Sequence, residues 1–124
     1  MICCLNPECS NPQNQDGYTI CQTCGTPLVA LLRNRFRVMD VLSDEGGFGR
    51  TYLAEDTDKL NELCVVKQLA PKFQGTWSQK KAIELFSQEA KRLQELGEHP
   101  QIPTLIAYFQ QDNCLYLVQQ FING

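Results

Sequence analysis

Five of the chain's seven cysteines, Cys3, Cys4, Cys9, Cys21 and Cys24, fall within its first 24 residues. Residues 1–27 around them hold no Lys or Arg, only Glu8 and Asp16 as acids, and much Asn, Gln and Pro. A stretch this short and polar cannot build an apolar core, and below about 40 residues a chain usually needs a metal or disulfides to fold. Cys4-x4-Cys9 and Cys21-x2-Cys24-Gly25 offer two loops with two thiolates each. Zn2+ takes four such ligands in a tetrahedron, and a glycine after the second sulfur suits the knuckle in which backbone amides point at sulfur. The odd cysteine count counts against a disulfide framework, as does a start without the basic and apolar regions of a secretory signal. The expectation is a structural zinc held by Cys4, Cys9, Cys21 and Cys24, with Cys3 as an alternative to Cys4. Free or oxidised thiols in a loose tail are the competing reading.

Elsewhere the composition is ordinary. At 124 residues, 43% hydrophobic and 20% charged, the chain should fold, and it is shorter than the roughly 150 at which a second full-sized domain is expected. Its charge, 11 − 14 = −3, argues against a bulk nucleic-acid or membrane-surface binder, which needs dense Lys and Arg. No apolar run approaches the ~20 residues that span a bilayer, so a cytoplasmic location is expected.

After an apolar connector over 27–32, Arg33, Arg35 and Arg37 alternate at strand spacing. Phe36 to Leu42 and Thr51 to Glu55 then read as strands on either side of a glycine-rich turn, and Leu63 to Leu69 as a third strand beyond a polar turn. Ile83, Phe86, Ala90, Leu93 and Leu96 recur at helical spacing. With Thr76 or Ser78 as cap and Gly97 at the C′ position, they predict a helix over about 79–96. Leu105 to Phe109 and Cys114 to Gln119 close a last strand pair around Gln111-Asp112-Asn113. The expected fold class is α+β: an antiparallel sheet with one helix against it, preceded by the cysteine-rich prefix.

Two features carry chemistry in this second part. Gly46-Gly47-Phe48-Gly49 joins two strands, and glycines there let backbone N–H groups approach a phosphate, although such a turn is also common without a ligand. Lys67 lies inside the apolar strand Cys64-Val65-Val66-Lys67, on the face of Val65 and Leu69, where an unpaired ammonium would be costly. Glu89, three residues after Phe86 and four before Leu93, lies beside the helix stripe and should face the sheet. A strand lysine and a helix glutamate under a glycine loop make a phosphate-gripping arrangement. The plainer alternative is a structural ion pair.

With these residues in order, the segment from Phe36 to Gly124 resembles the N-terminal lobe of a bacterial serine/threonine protein kinase. The prefix resembles the four-cysteine segment that precedes such kinases in one bacterial group. The resemblance implies two units, a zinc-ribbon-like prefix over 1–30 and the kinase lobe, a five-stranded antiparallel sheet plus one helix, over 34–124. It implies Gly46, Gly47, Phe48 and Gly49 over the phosphates of ATP, Thr51 and Val65 against the base, and Lys67, held by Glu89, on the α and β phosphates. Backbone groups of Gln120 and Ile122 would bond the adenine edge. Asp44 stands where the family loop has its first glycine, and Ser43-Asp44-Glu45 is one residue too long, so acids beside the polyphosphate should weaken its binding. The catalytic-loop aspartate, its asparagine and the Mg2+-holding aspartate are absent from the sequence. ATP:protein phosphotransfer is therefore expected of a complete enzyme, and an inactive, weakly ATP-binding lobe of the isolated 124-mer.

The implied partners are ATP with Mg2+ and a missing larger lobe or another protein, the latter meeting Leu117, Val118 and Phe121. The alternative function is a non-enzymatic interaction module in which the ribbon recruits a protein and the kinase-like part is a scaffold. His99 reads as a turn residue, Trp77 as packing at the helix start, and Cys64 and Cys114 as small core residues.

Overall fold

The computed structural model describes residues 1–44, 49–70 and 77–122. Two short strands, β1 (Ile2–Cys3) and β2 (Gln13–Asn14), pair antiparallel in the prefix. The rest is built from β3 (Phe36–Ser43), β4 (Thr51–Asp56), β5 (Glu62–Leu69), α1 (Trp77–Leu96), β6 (Leu105–Gln111) and β7 (Cys114–Gln120). The last five strands form one antiparallel sheet in the order β3-β4-β5-β7-β6. The expected α+β sheet with one helix is present.

Period-two alternation sorts the side chains of this sheet onto two faces. Tyr52, Ala54, Cys64, Val66 and Val118 are buried on one of them, together with Phe36, Val38, Phe109 and Tyr116. Cys3 and Leu5 from the prefix and Leu32 from the connector complete that cluster, so the N-terminal segment covers this side. On the opposite face α1 lays Phe86, Ala90 and Leu93 over Leu117, Ile102 and Leu105. The order of layers is prefix, sheet, helix.

The turns follow from backbone chemistry. Asp112 and Asn113, both at positive φ, make the two-residue hairpin turn that right-twisted strands favour, so Gln111 belongs to the strand and pairs with Cys114. Gly97, at φ +59, donates its N–H to the Leu93 carbonyl 3.2 Å away and closes the helix as the C′ residue. Trp77 opens the helix, which puts Ser78 inside it and excludes Ser78 as the cap; Thr76 lies outside the described residues.

Several expectations are corrected. Trp77 is 78% exposed, because nine residues at 100° each place it opposite Phe86 on the helix. Leu96 is also exposed, so the buried stripe ends at Leu93. Arg33 and Asn34 sit in a turn at positive φ, bridged by Leu32 and Phe36, so the arginine alternation is not a strand from its start. Leu117 and Val118 are fully buried within the sheet's two clusters and leave Phe121 and Ile122 as the apolar groups at that end.

One buried charge anchors the sheet edge. Asp56, 1% exposed, accepts from Arg35 Nε and Nη2 at 2.8 Å each and from the Asp58 N–H at 3.1 Å. The Arg35 hydrogen bonds, outweighing desolvation, hold its carboxyl below the usual carboxylate value. A depressed folded-state value means stabilisation that is present above the ordinary carboxylate range and lost as pH falls through it. Asp56→Asn should therefore lose about 2 kcal/mol in urea unfolding at pH 7, by leaving the partly exposed Arg35 with the longer, exposed Asp58 contact at 3.5 Å in place of its two-pronged bond to Asp56. The gap to the unsubstituted chain should narrow at pH 3, and an equal gap at both pH values would contradict this assignment.

Candidate metal and nucleotide sites

The two cysteine loops fold toward one another. Asn6 caps the first: its carbonyl accepts from the Cys9 N–H at 3.0 Å and its Oδ1 from the Glu8 N–H at 3.0 Å. In the second, Gly25 at φ +78 donates to the Cys21 carbonyl at 2.9 Å, the reversal that only glycine adopts at little cost. The Sγ atoms of Cys4, Cys9, Cys21 and Cys24 all lie within 4.8 Å of one another. Cys4 and Cys24 are 3.6 Å apart and Cys9 and Cys21 3.7 Å. A tetrahedron with Zn–S near 2.3 Å has S···S edges of about 3.8 Å, so the donor set fits a zinc-sized ion and closes the coordination sphere. Cys3 is excluded from the set: it points into the sheet core, where burial pushes its thiol up to about 12.

The surroundings prepare the four sulfurs unequally. Hydrogen bonds from the Cys24 backbone, then from Thr23 and Asn14, hold Cys21 down to about 6, and Thr26 lowers Cys24. Burial raises Cys4 and Cys9. A bound dication would supply the charge that lets all four ionise, with release of the remaining protons. Asn14 links the second loop to β2, its Nδ2 3.5 Å from Cys21 Sγ and its Oδ1 accepting from the Gln22 N–H at 2.8 Å. Asn6 and Asn14 carry no mark in the sequence beyond the Asn-rich composition, and their roles emerge only in the fold.

On the helix side of the sheet, Lys67 Nζ donates to Glu89 Oε1 at 2.6 Å. Both side chains are about one-third exposed, 31% and 30%, so the pair lies at a surface that a ligand can reach. Lys67 pairs across the ladder with Thr51 and with Leu117, and Val65 with Leu53 and Gln119, which puts Thr51, Val65 and Lys67 on one face. Gly49 lies against β5 so closely that a Cβ there would stand 2.1 Å from the Gln68 carbonyl oxygen. Gly46, Gly47 and Phe48 lie outside the described residues. The Gln120 N–H is committed to the Thr104 carbonyl at 2.9 Å, and Ile122 follows it at the end of β7, 40% exposed. Asp44 turns onto Arg50, its Oδ1 3.2 Å from Arg50 Nε, so its charge is balanced within the fold.

No family model matches the chain. It is 40% identical over 125 residues to Serine/threonine-protein kinase B of Synechocystis sp., a match covering 100% of this chain and 21% of that protein. This chain is related to the N-terminal region of serine/threonine protein kinases. Kinase C of the same organism is 46% identical over 101 residues, 80% of this chain and 18% of the relative. Serine/threonine-protein kinase PknA of Nostoc sp. is 46% identical over 96 residues, 76% of this chain and 17% of the relative. The chain thus spans about a fifth of the length of the curated relatives it matches. Among the described residues of this kinase-related chain, no helix is long and apolar enough to cross a membrane.

Proposed function

We propose that this chain is the ATP-binding lobe of a serine/threonine protein kinase, carrying a structural zinc in its prefix. The observation that carries the reading is the Lys67–Glu89 contact, a cation held by one helix carboxylate on the same sheet face as Thr51 and Val65. Lys67 keeps hydrogen-bonding capacity beyond Glu89, since an ammonium has three donors, and it can bond a phosphate oxygen while Glu89 fixes its direction. Thr51 and Val65 offer a surface for a flat base, and the backbone of Gln120 and Ile122 closes its edge. Mg2+ bound with ATP would supply charge neutralisation between phosphate oxygens. The complete enzyme would carry out ATP:protein phosphotransfer, with a larger lobe presenting the protein substrate.

Cys4, Cys9, Cys21 and Cys24 would hold zinc in a purely structural role, because four sulfurs leave no position for water or substrate. In this reading residues 1–30 form the metal-stabilised prefix and 34–124 the nucleotide lobe of a cytoplasmic enzyme, where thiols stay reduced. The test is a titration of the metal-loaded chain with a fluorescent ATP analogue and Mg2+, followed by displacement with ATP. Saturable, displaceable binding at one site per chain supports the reading. A folded chain without displaceable binding overturns it in favour of an interaction module.

A further inference from the structure

The two sites are physically joined through a residue that neither of them claims. Arg50, between Gly49 and the first residue of β4, is 9% exposed and extends away from the nucleotide face into the prefix. Its Nη2 donates to the Cys9 carbonyl at 2.7 Å and its Nη1 to the Asn6 carbonyl at 3.5 Å, and both acceptors belong to the first metal-binding loop. The Arg50 carbonyl accepts from the Gln68 N–H at 2.9 Å, and Gln68 is the next residue after Lys67. The Gln68 side chain adds a second link: its Nε2 donates to the Leu5 carbonyl at 2.7 Å, one residue from Cys4, and its Oε1 accepts from Tyr52 at 3.1 Å and from the Arg50 N–H at 3.3 Å.

We propose that Arg50 is a positioning residue for nucleotide binding, through which the four-cysteine centre fixes Thr51 and Lys67 in their ATP-gripping register. The inference rests on the reading above that ATP binds at Lys67. A loop closed by metal presents the Cys9 and Asn6 carbonyls at fixed points, and the planar fork of Arg50 transmits that geometry to the β4–β5 ladder. An opened loop leaves the two Nη groups of the buried guanidinium without their acceptors, while Nε keeps Asp44, and the start of β4 must move to solvate them. Coupling of this kind is reciprocal, so metal and nucleotide must strengthen each other's binding by the same factor.

The experiment uses the whole 124-residue chain with Co2+ as the spectroscopic metal. The Mg-ATP dissociation constant is measured with the metal present and after chelation, and Co2+ affinity with and without saturating Mg-ATP. The expected result is a factor of about tenfold in both directions. In Arg50→Met the factor falls well below the wild-type value, the remainder running through the Gln68–Leu5 link, while the cobalt–thiolate absorption persists and reports an intact metal site. Arg50→Lys keeps the charge but not the fork, and it should restore part of the factor; it also serves if Arg50→Met does not fold. A factor of one in a wild-type chain that binds Mg-ATP overturns the coupling and leaves the ATP reading standing. A full factor retained in Arg50→Met, or in Arg50→Lys where that variant serves, overturns the role of Arg50. No Mg-ATP binding by the metal-loaded wild type overturns both.

Discussion

Replacing Cys21 and Cys24 together by serine should release the metal and unfold the prefix, the largest stability effect available in this chain. Apparent zinc free energies of about 10–16 kcal/mol stand in for a core that residues 1–27, with their Asn, Gln and Pro, cannot supply. The damage should spread beyond the prefix, because Cys3, Leu5 and Leu32 cover the sheet face that holds Phe36, Tyr52 and Val66. Loss of that cover exposes an apolar patch, the kind of surface that drives association. Native mass spectrometry should show one zinc on the wild-type chain and none on the double variant, with increased binding of a hydrophobic dye. One zinc retained by the variant would refute the ligand assignment. Cys3 is not a substitute ligand, since its thiol is packed in the sheet core.

Lys67→Ala should weaken Mg-ATP binding by about 2 kcal/mol, roughly 30-fold, the loss of one charge-assisted contact to phosphate. The same change should alter unfolding free energy by less than about 1 kcal/mol, because the ion pair is about one-third exposed on each side and strongly screened. The contrast between binding and stability is what matters. A structural ion pair predicts the reverse pattern, a stability loss with nucleotide affinity unchanged. Glu89→Gln should weaken binding less, and with Lys67 already removed it should do nothing further, since its effect runs through the ammonium. Additive losses in the double variant would show that the two residues act separately.

Much of this fold could be read along the chain, and the reason is periodicity. Alternation in β5 put Lys67 on the face of Val65 rather than that of Val66, and the 3.6-residue repeat put Glu89 beside Phe86 and Leu93. The 2.6 Å contact between Lys67 and Glu89 follows from those two repeats meeting across one layer. The cysteine spacing likewise named the four sulfurs that cluster, and the direction of the side chain, Cys4 into the cluster and Cys3 into the sheet core, decided between Cys3 and Cys4.

The docking of the prefix onto the sheet was not legible, because its bonds join distant residues with no local repeat. Arg50 and Cys9 are 41 positions apart, and Gln68 and Leu5 are 63. One signal was available. Gln68 shares strand parity with Cys64 and Val66, and an amide at a core-facing position requires a partner from elsewhere in the chain. Trp77 misled for the opposite reason: a large aromatic suggests burial, but its angular position on α1 faces solvent.

The most direct measurement of the central claim is a backbone amide NMR titration of the zinc-loaded, isotope-labelled chain with Mg-ATP. Saturable shifts are predicted for Thr51, Val65, Lys67, Gln120 and Ile122, which trace one face and one end of the sheet. Titration to saturation with those amides unmoved would contradict the claim that this lobe grips a nucleotide through Lys67.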